Sequence, residues 1–154
     1  MTAVAHNTSL RERREAIVNQ HLEAENRHDV EGTIATFHRP RYEVNGQASD
    51  GAAAVRELLE GLMNGFPDLH AELGAMRHAD DAVFGEARIT GTHAGEWAGI
   101  PPTGRRIDVT MAGIFEFDED RLLCEKVYVD FATMLTQIGV LPALGGAAAA
   151  AGAD

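Results

Sequence analysis

The groups in this chain best suited to moving protons are carboxylates, a histidine and a tyrosine. Asp130 closes an apolar strand and is followed by apolar Phe131 and Met134, so its carboxylate is either a helix N-cap or a pocket group. In a pocket, low dielectric raises a carboxyl pKa, whereas opposite charge or donated hydrogen bonds lower it, which is how a carboxylate becomes usable in acid/base work. His93 lies in the run Gly91-Thr92-His93-Ala94-Gly95-Glu96-Trp97 and serves equally as a proton carrier or as a loop-end hydrogen-bonding group. Arg88 shares a strand face with Phe84, Glu86 and Thr90, and reads either as the partner of Glu86 in a buried cluster or as a substrate contact. His21 and His28 could share a helix face, but no Asp or Glu completes an obvious ligand set, and they read as half-buried or solvated side chains. No glycine-rich phosphate loop, nucleophile elbow or HExxH motif occurs, so no nucleotide, metal or other cofactor is expected.

The positions of these groups depend on the last hairpin. Asp118-Glu119-Asp120, read as a three-residue loop, pairs Phe117 with Arg121. Alternation then places Asp108, Thr110, Glu116, Lys126, Tyr128 and Asp130 on one side, and Ile107, Val109, Met111, Phe115, Val127 and Val129 on the other. One face can hold polar groups while the other packs against apolar surface.

Upstream, Ser9 and Glu12 fit a capping box before a helix running from Leu10 to about Asn26. Asp29 caps a short second helix carrying Val30, Ile34 and Phe37, which Pro40 stops. Tyr42 to Asn45 reads as a short strand. A third helix after Asp50 carries the apolar stripe Val55, Leu58, Leu59, Leu62, Met63 and Phe66, and ends at Pro67. Strands follow over Leu69–Arg77, Ala82–Thr92, Arg106–Phe117 and Leu122–Asp130, then a short helix over Phe131–Ile138. Helices followed by an antiparallel meander make an α+β fold, and the space between a curled sheet and its helices is the natural ligand site. The domain is expected over 9–141, with flexible termini at 1–8 and 145–154.

Composition excludes several partners. There are 13 Lys plus Arg against 24 Asp plus Glu, a formal charge of −11, which repels phosphate backbones and anionic membrane surfaces. The single cysteine, Cys124, excludes an internal disulfide. Met1 to Arg14 lacks the apolar core of a signal peptide, and no run approaches a bilayer span, so the expected location is the cytoplasm, with neither nucleic acid nor membrane as partner.

Three stretches carry a family likeness: Phe66-Pro67-Asp68-Leu69-His70; Gly91 to Glu96 running through Gly99-Ile100-Pro101-Pro102-Thr103-Gly104-Arg105-Arg106; and Asp130 with Leu135, Gln137, Ile138 and Gly139. With these the chain resembles the SnoaL-like polyketide cyclases and ester cyclases of the NTF2-like superfamily, over roughly Arg14 to Leu141. The resemblance implies a cone-shaped α+β barrel, with a curved antiparallel sheet wrapped around the N-terminal helices, and a homodimer packed through its sheets, to which Val127 and Val129 would contribute. It also implies a cofactor-free aldol-type closure or isomerisation of a small hydrophobic carbonyl compound, a polyketide-like ester. The general acid/base there is an aspartate at the end of the last strand, which Asp130 matches. The family's nearby histidines are missing between Arg106 and Asp130, and Glu116 and Tyr128 stand where they would help. The expected catalytic set is therefore Asp130, Glu116, Tyr128 and His93, with Arg88, Trp97, Phe66 and Met63 contacting substrate. The alternative function is a non-catalytic small-molecule-binding protein of the same superfamily.

Overall fold

A computed structural model describes residues 8–142; of the expected flexible segments at 1–8 and 145–154, all but Thr8 lies outside the described residues. Helix α1 (Leu10–Asn26) begins with the capping box: Ser9 Oγ accepts from Glu12 N–H, and the Glu12 carboxylate accepts Ser9 N–H at 2.7 Å. Its inner face buries Val18, Leu22 and Ala24, together with two polar side chains, Arg14 and His21. Arg14 is satisfied by the carbonyl oxygens of Glu119 and Asp80, at 2.7 and 2.9 Å. Helix α2 (Val30–Ala35) starts at Asp29, whose carboxylate accepts Gly32 N–H.

Strands β1 (Arg41–Val44) and β2 (Gln47–Asp50) form a hairpin around Asn45-Gly46, both at positive φ, 47° and 84°. Such a two-residue turn matches the twist of the strands it joins. Only the first of the two strands was expected. Helix α3 (Ala52–Gly65) follows, and the expected strand over Leu69–Arg77 divides into β3 (His70–Leu73) and β4 (Arg77–His78). Then come β5 (Ala82–Thr92), β6 (Arg106–Asp118), β7 (Arg121–Val129) and α4 (Phe131–Gln137).

The seven strands form one sheet in the order β2-β1-β7-β6-β5-β3, with β4 also paired to β5. The pairing of β1 with β7 is parallel and the others are antiparallel. This corrects two expectations. The sheet is mixed rather than antiparallel, because β1 returns beside the last strand only through the long crossover that parallel pairing requires. It is also open: β2 and β3, each four residues, end the pairing path at opposite edges, so no cone-shaped barrel closes and the sheet does not curl around the helices. The helices cover one face, where Val18, Leu22, Ile34, Val55 and Leu59 pack against Val83, Met111, Phe115 and Leu122. Met134 of α4 and Ile138 at its C-cap extend that core over Ile107 and Val109.

The final hairpin is tighter than expected. Asp118 pairs with Arg121 across a two-residue turn, Glu119-Asp120, rather than a three-residue loop. By itself this would move Glu116 to the other face. A bulge follows: Phe117 pairs with Leu122 but Glu116 with Cys124, leaving Leu123 as the extra residue. The two departures cancel in parity, so Glu116, Lys126 and Tyr128 do share a face. That face points away from the helices. Val127 and Val129, expected in a dimer contact, face inward instead and line a cavity, because the helices already cover the apolar side.

Candidate active site

The cavity, about 160 Å³, lies between the sheet and helices α1, α3 and α4. Apolar space of that order, roughly 150 Å³, accommodates one aromatic ring. Its walls come from Leu58, Leu59, Leu62 and Met63 of α3, from Ile107, Val109 and Met111 of β6, from Val127 and Val129 of β7, and from Phe131 and Met134 at α4. Trp97 completes the wall because Gly65 lets the chain approach: a Cβ on Gly65 would stand 2.5 Å from that of Trp97.

Few polar side chains reach this space: Glu25, Asn26 and Tyr42. The Asn26 amide is already engaged, donating to Ala71 O at 2.9 Å and accepting Ala71 N–H at 2.8 Å. The polar side chains left at the cavity are Glu25 and Tyr42. Behind them, β7 turns Glu125 to the inward face, with Phe115 of β6 and Tyr42 of β1 as its cross-strand neighbours. His21 descends from α1 to meet it, Nε2 lying 2.7 Å from Glu125 Oε2 and 3.4 Å from Glu25 Oε1. Both His21 and Glu125 have no exposed side-chain surface, whereas Glu25 is 14% exposed. The edges of Phe37 and Phe115 flank the imidazole at 5.0 and 5.8 Å. Its Nδ1 is 2.6 Å from Thr36 Oγ1.

Burial of the pair sets the protonation of His21 and Glu125. Burial disfavours the imidazolium, but the charges of Glu125 and Glu25 outweigh it and raise the His21 pKa. Burial, and then the charge of Glu25, push the Glu125 carboxyl up against the opposing pull of His21. Tyr42 is held as a phenol, its pKa well above 10.0, first by burial and then by the same two carboxylates. Among the described residues, Glu25 Oε1 and Glu125 Oε1 are buried without a hydrogen-bond partner.

The ligand atoms of His21, Glu25 and Glu125 lie within 4.8 Å of one another, a mixed nitrogen and oxygen set suited to a divalent cation. The 2.7 Å from Nε2 to Oε2 is a hydrogen-bond length. Two donors around one tetrahedral zinc stand about 3.3 Å apart, given metal–ligand bonds of about 2.0–2.1 Å. As it stands, His21 Nε2 and Glu125 Oε2 share a hydrogen bond, while Nε2 and Glu25 Oε1 stand 3.4 Å apart.

The expected site residues are dispersed. Met63 and Trp97 line the cavity. Phe66 is buried behind Trp97, its ring stacked on His93 at 5.3 Å. His93 is fully buried and outside the lining, with Nδ1 3.0 Å from Thr103 Oγ1. Arg88 pairs with Asp108 on the exposed face, Nε to Oδ1 at 2.8 Å, so the Arg88–Glu86 cluster does not form. Glu116 pairs with Lys126 on that face, and Tyr128 beside them is 52% exposed. Asp130, expected in the pocket, is exposed and outside the lining. It caps α4 through the Thr133 hydroxyl and Thr133 N–H, which together hold its carboxyl below its ordinary pKa. Sequence reasoning missed Glu25, Tyr42 and Glu125 and discounted His21. The available signs were a glutamate in register with Val127 and Val129, and the His21/Glu25 spacing along one helix face.

An apolar cavity with one polar end, between an α-helical layer and an open sheet, defines a small-molecule pocket protein. Residues 15–138 match the model of the SnoaL-like polyketide cyclases, and the chain belongs to that family. It is similar to AclR of Streptomyces galilaeus, provisionally described as a hydroxylase, at 26% identity and TM-score 0.78, over 94% of this chain and 96% of that one. IdmH of Streptomyces antibioticus, provisionally described as a polyketide cyclase, matches at 25% identity and TM-score 0.68, over 82% of this chain and 99% of that one. TsrD of Streptomyces laurentii shares the fold at 22% identity and TM-score 0.74, over 85% and 98%. No curated protein matches the chain significantly. Among the described residues, no helix is long and apolar enough to cross a membrane.

Proposed function

We propose that the protein rearranges a small, largely apolar carbonyl compound by cofactor-free proton transfer, either an aldol-type ring closure or an isomerisation, with Glu25 as base. One observation carries this reading: Glu25 is the carboxylate that both lines the cavity and joins the buried His21–Glu125 pair. Its carboxylate removes a proton from a carbon next to the substrate carbonyl. Tyr42, kept as a phenol, has a single hydrogen, held at rest by the Glu125 and Glu25 carboxylates, and turns it to the carbonyl oxygen as negative charge develops there. The enolate either forms a carbon–carbon bond to a second carbonyl of the same molecule, whose oxygen takes up the proton, or is reprotonated at another carbon. His21 supplies the positive charge that balances the array. The apolar walls exclude water and suit a ring-sized substrate. The family membership and the provisional cyclase description of IdmH support the same reaction class.

The test follows deuterium uptake at the α-carbon and product formation across a panel of cyclisable β-keto esters. Glu25→Gln should lower kcat by roughly 10²-fold or more while thermal stabilisation by the same compounds persists. Undiminished turnover in that variant removes Glu25 as the base. Binding without exchange in the unmodified protein leaves a binding pocket only.

A further inference from the structure

We infer that Thr36 is a positioning residue for His21: its hydroxyl accepts the Nδ1–H of the imidazole, so the proton His21 exchanges with the two carboxylates is always the one on Nε2. The inference rests on the proton-transfer reading above and concerns a residue outside the cavity lining.

It follows from counting hydrogens. Thr36 Oγ1 lies 2.7 Å from Thr33 O and 2.6 Å from His21 Nδ1. A carbonyl oxygen only accepts, so the single hydroxyl hydrogen of Thr36 goes to Thr33 O. What Thr36 offers the imidazole is a lone pair, and Nδ1 must carry hydrogen to meet it. The reverse arrangement would set two oxygen lone pairs against each other at 2.7 Å. The turn ending α2 enforces this, since Thr33 O also accepts Thr36 N–H at 3.1 Å and Thr33 is fully buried. With Nδ1 occupied, neutral His21 has its lone pair on Nε2, aimed at Glu125 Oε2 and Glu25 Oε1.

The groups facing the imidazole are Glu25 from its own helix, Glu125 from β7 with Tyr42 of β1 against the same carboxylates, Thr36 from the end of α2, and the apolar rings of Phe37 and Phe115. Thr36 is the one neutral oxygen among them at hydrogen-bond distance from the ring. Removing it leaves a buried Nδ1–H without an acceptor, which disfavours the imidazolium and frees the ring to lose the wrong proton.

The experiment is nitrogen-15 NMR of the imidazole groups of the full chain, with the His21 signals identified by their loss in His21→Gln. In the unmodified protein, Nδ1 should report a bound, hydrogen-bonded proton at every pH at which the fold persists. In Thr36→Val the His21 pKa should fall and the Nδ1 signal should shift, and kcat should drop about 10-fold or more at little-changed KM. Thr36→Ser, which keeps the hydroxyl, should stay within about 2-fold of the unmodified kcat. A bare Nδ1 in the unmodified protein overturns the inference, as does a Thr36→Val spectrum with unaltered Nδ1 shift and pH response. The spectrum of the unmodified protein decides the matter even if the valine variant fails to fold. It is also independent of substrate, so a failed search for turnover strikes the proposed function and not this assignment.

Discussion

His21 Nε2 lies 2.7 Å from Glu125 Oε2, a contact between side chains 104 residues apart that are both fully buried. A buried carboxylate needs compensation, and a partner removed costs more than the pair contributes. Glu125→Ala should therefore lower the unfolding free energy by about 3–5 kcal/mol, a large share of the roughly 5–15 kcal/mol of a typical domain. The double variant His21→Leu/Glu125→Leu should recover most of that loss. Urea denaturation of the single and double variants measures both, and a loss under about 1 kcal/mol in the single variant would contradict the pairing.

Stability should decline as pH rises. Both His21 and Glu125 have folded pKa values raised above their ordinary 6.5 and 4.5, so the folded state binds protons more tightly than the unfolded chain does. Their contribution is complete below those ordinary values. It is lost as pH climbs through the folded values, starting above pH 4.5 for Glu125 and above 6.5 for His21. Denaturation midpoints across this range should fall, and the fall should be shallower in Glu125→Gln. A slope unchanged by that substitution would place its origin elsewhere.

Asp130 belongs to the start of α4 rather than to the cavity. Asp130→Asn keeps an oxygen for Thr133 N–H and should leave turnover within about 2-fold, whereas loss of a general acid/base costs 10²-fold or more. Asp130→Ala should lower the thermal midpoint through loss of the cap, again without a selective loss of kcat. A large kcat drop in the asparagine variant would return the proton-transfer role to this aspartate.

Val109 faces the cavity from the middle of β6 and is 4% exposed. Val109→Phe places a ring where the ligand would sit, and the overpacking penalty of about 1–3 kcal/mol is offset by the space it fills. An apolar fluorescent probe should bind at least about 10-fold more weakly, with the circular dichroism spectrum unchanged. Unaltered probe binding would place the ligand outside this cavity.

Much of the local structure was legible in the chain. Ser9 with Glu12, Asp29 before Val30, and the apolar stripe of α3 specify helices through contacts within a few residues, and those helices formed where expected. Alternation in β6 and β7 sorted their side chains into two faces, and the bulge at Leu123 preserved that sorting despite the shorter turn. Asn45-Gly46 was an unread turn sign, and with it went β2 and the edge that leaves the sheet open.

What the sequence by itself determined was the family, the helix caps and the period-2 faces, because each depends on a motif or on spacing along the chain. Which face the helices would cover was decided only in the tertiary structure, since either face of a strand satisfies the same alternation until something packs on it. The buried cluster beside the cavity is of the same kind. His21 and Glu25 come from α1, Tyr42 from β1 and Glu125 from β7, and the parallel pairing of β1 with β7 puts Tyr42 directly opposite Glu125. Asp130 shows the converse: its place before Phe131 is compatible with either a cap or a pocket, and the direction of α4 at the end of the sheet turned its carboxylate to Thr133 and solvent. Short-range hydrogen bonds and periodicity are written in neighbouring residues, whereas the burial that turns a carboxylate into a reactive group arises only where distant segments meet and exclude water.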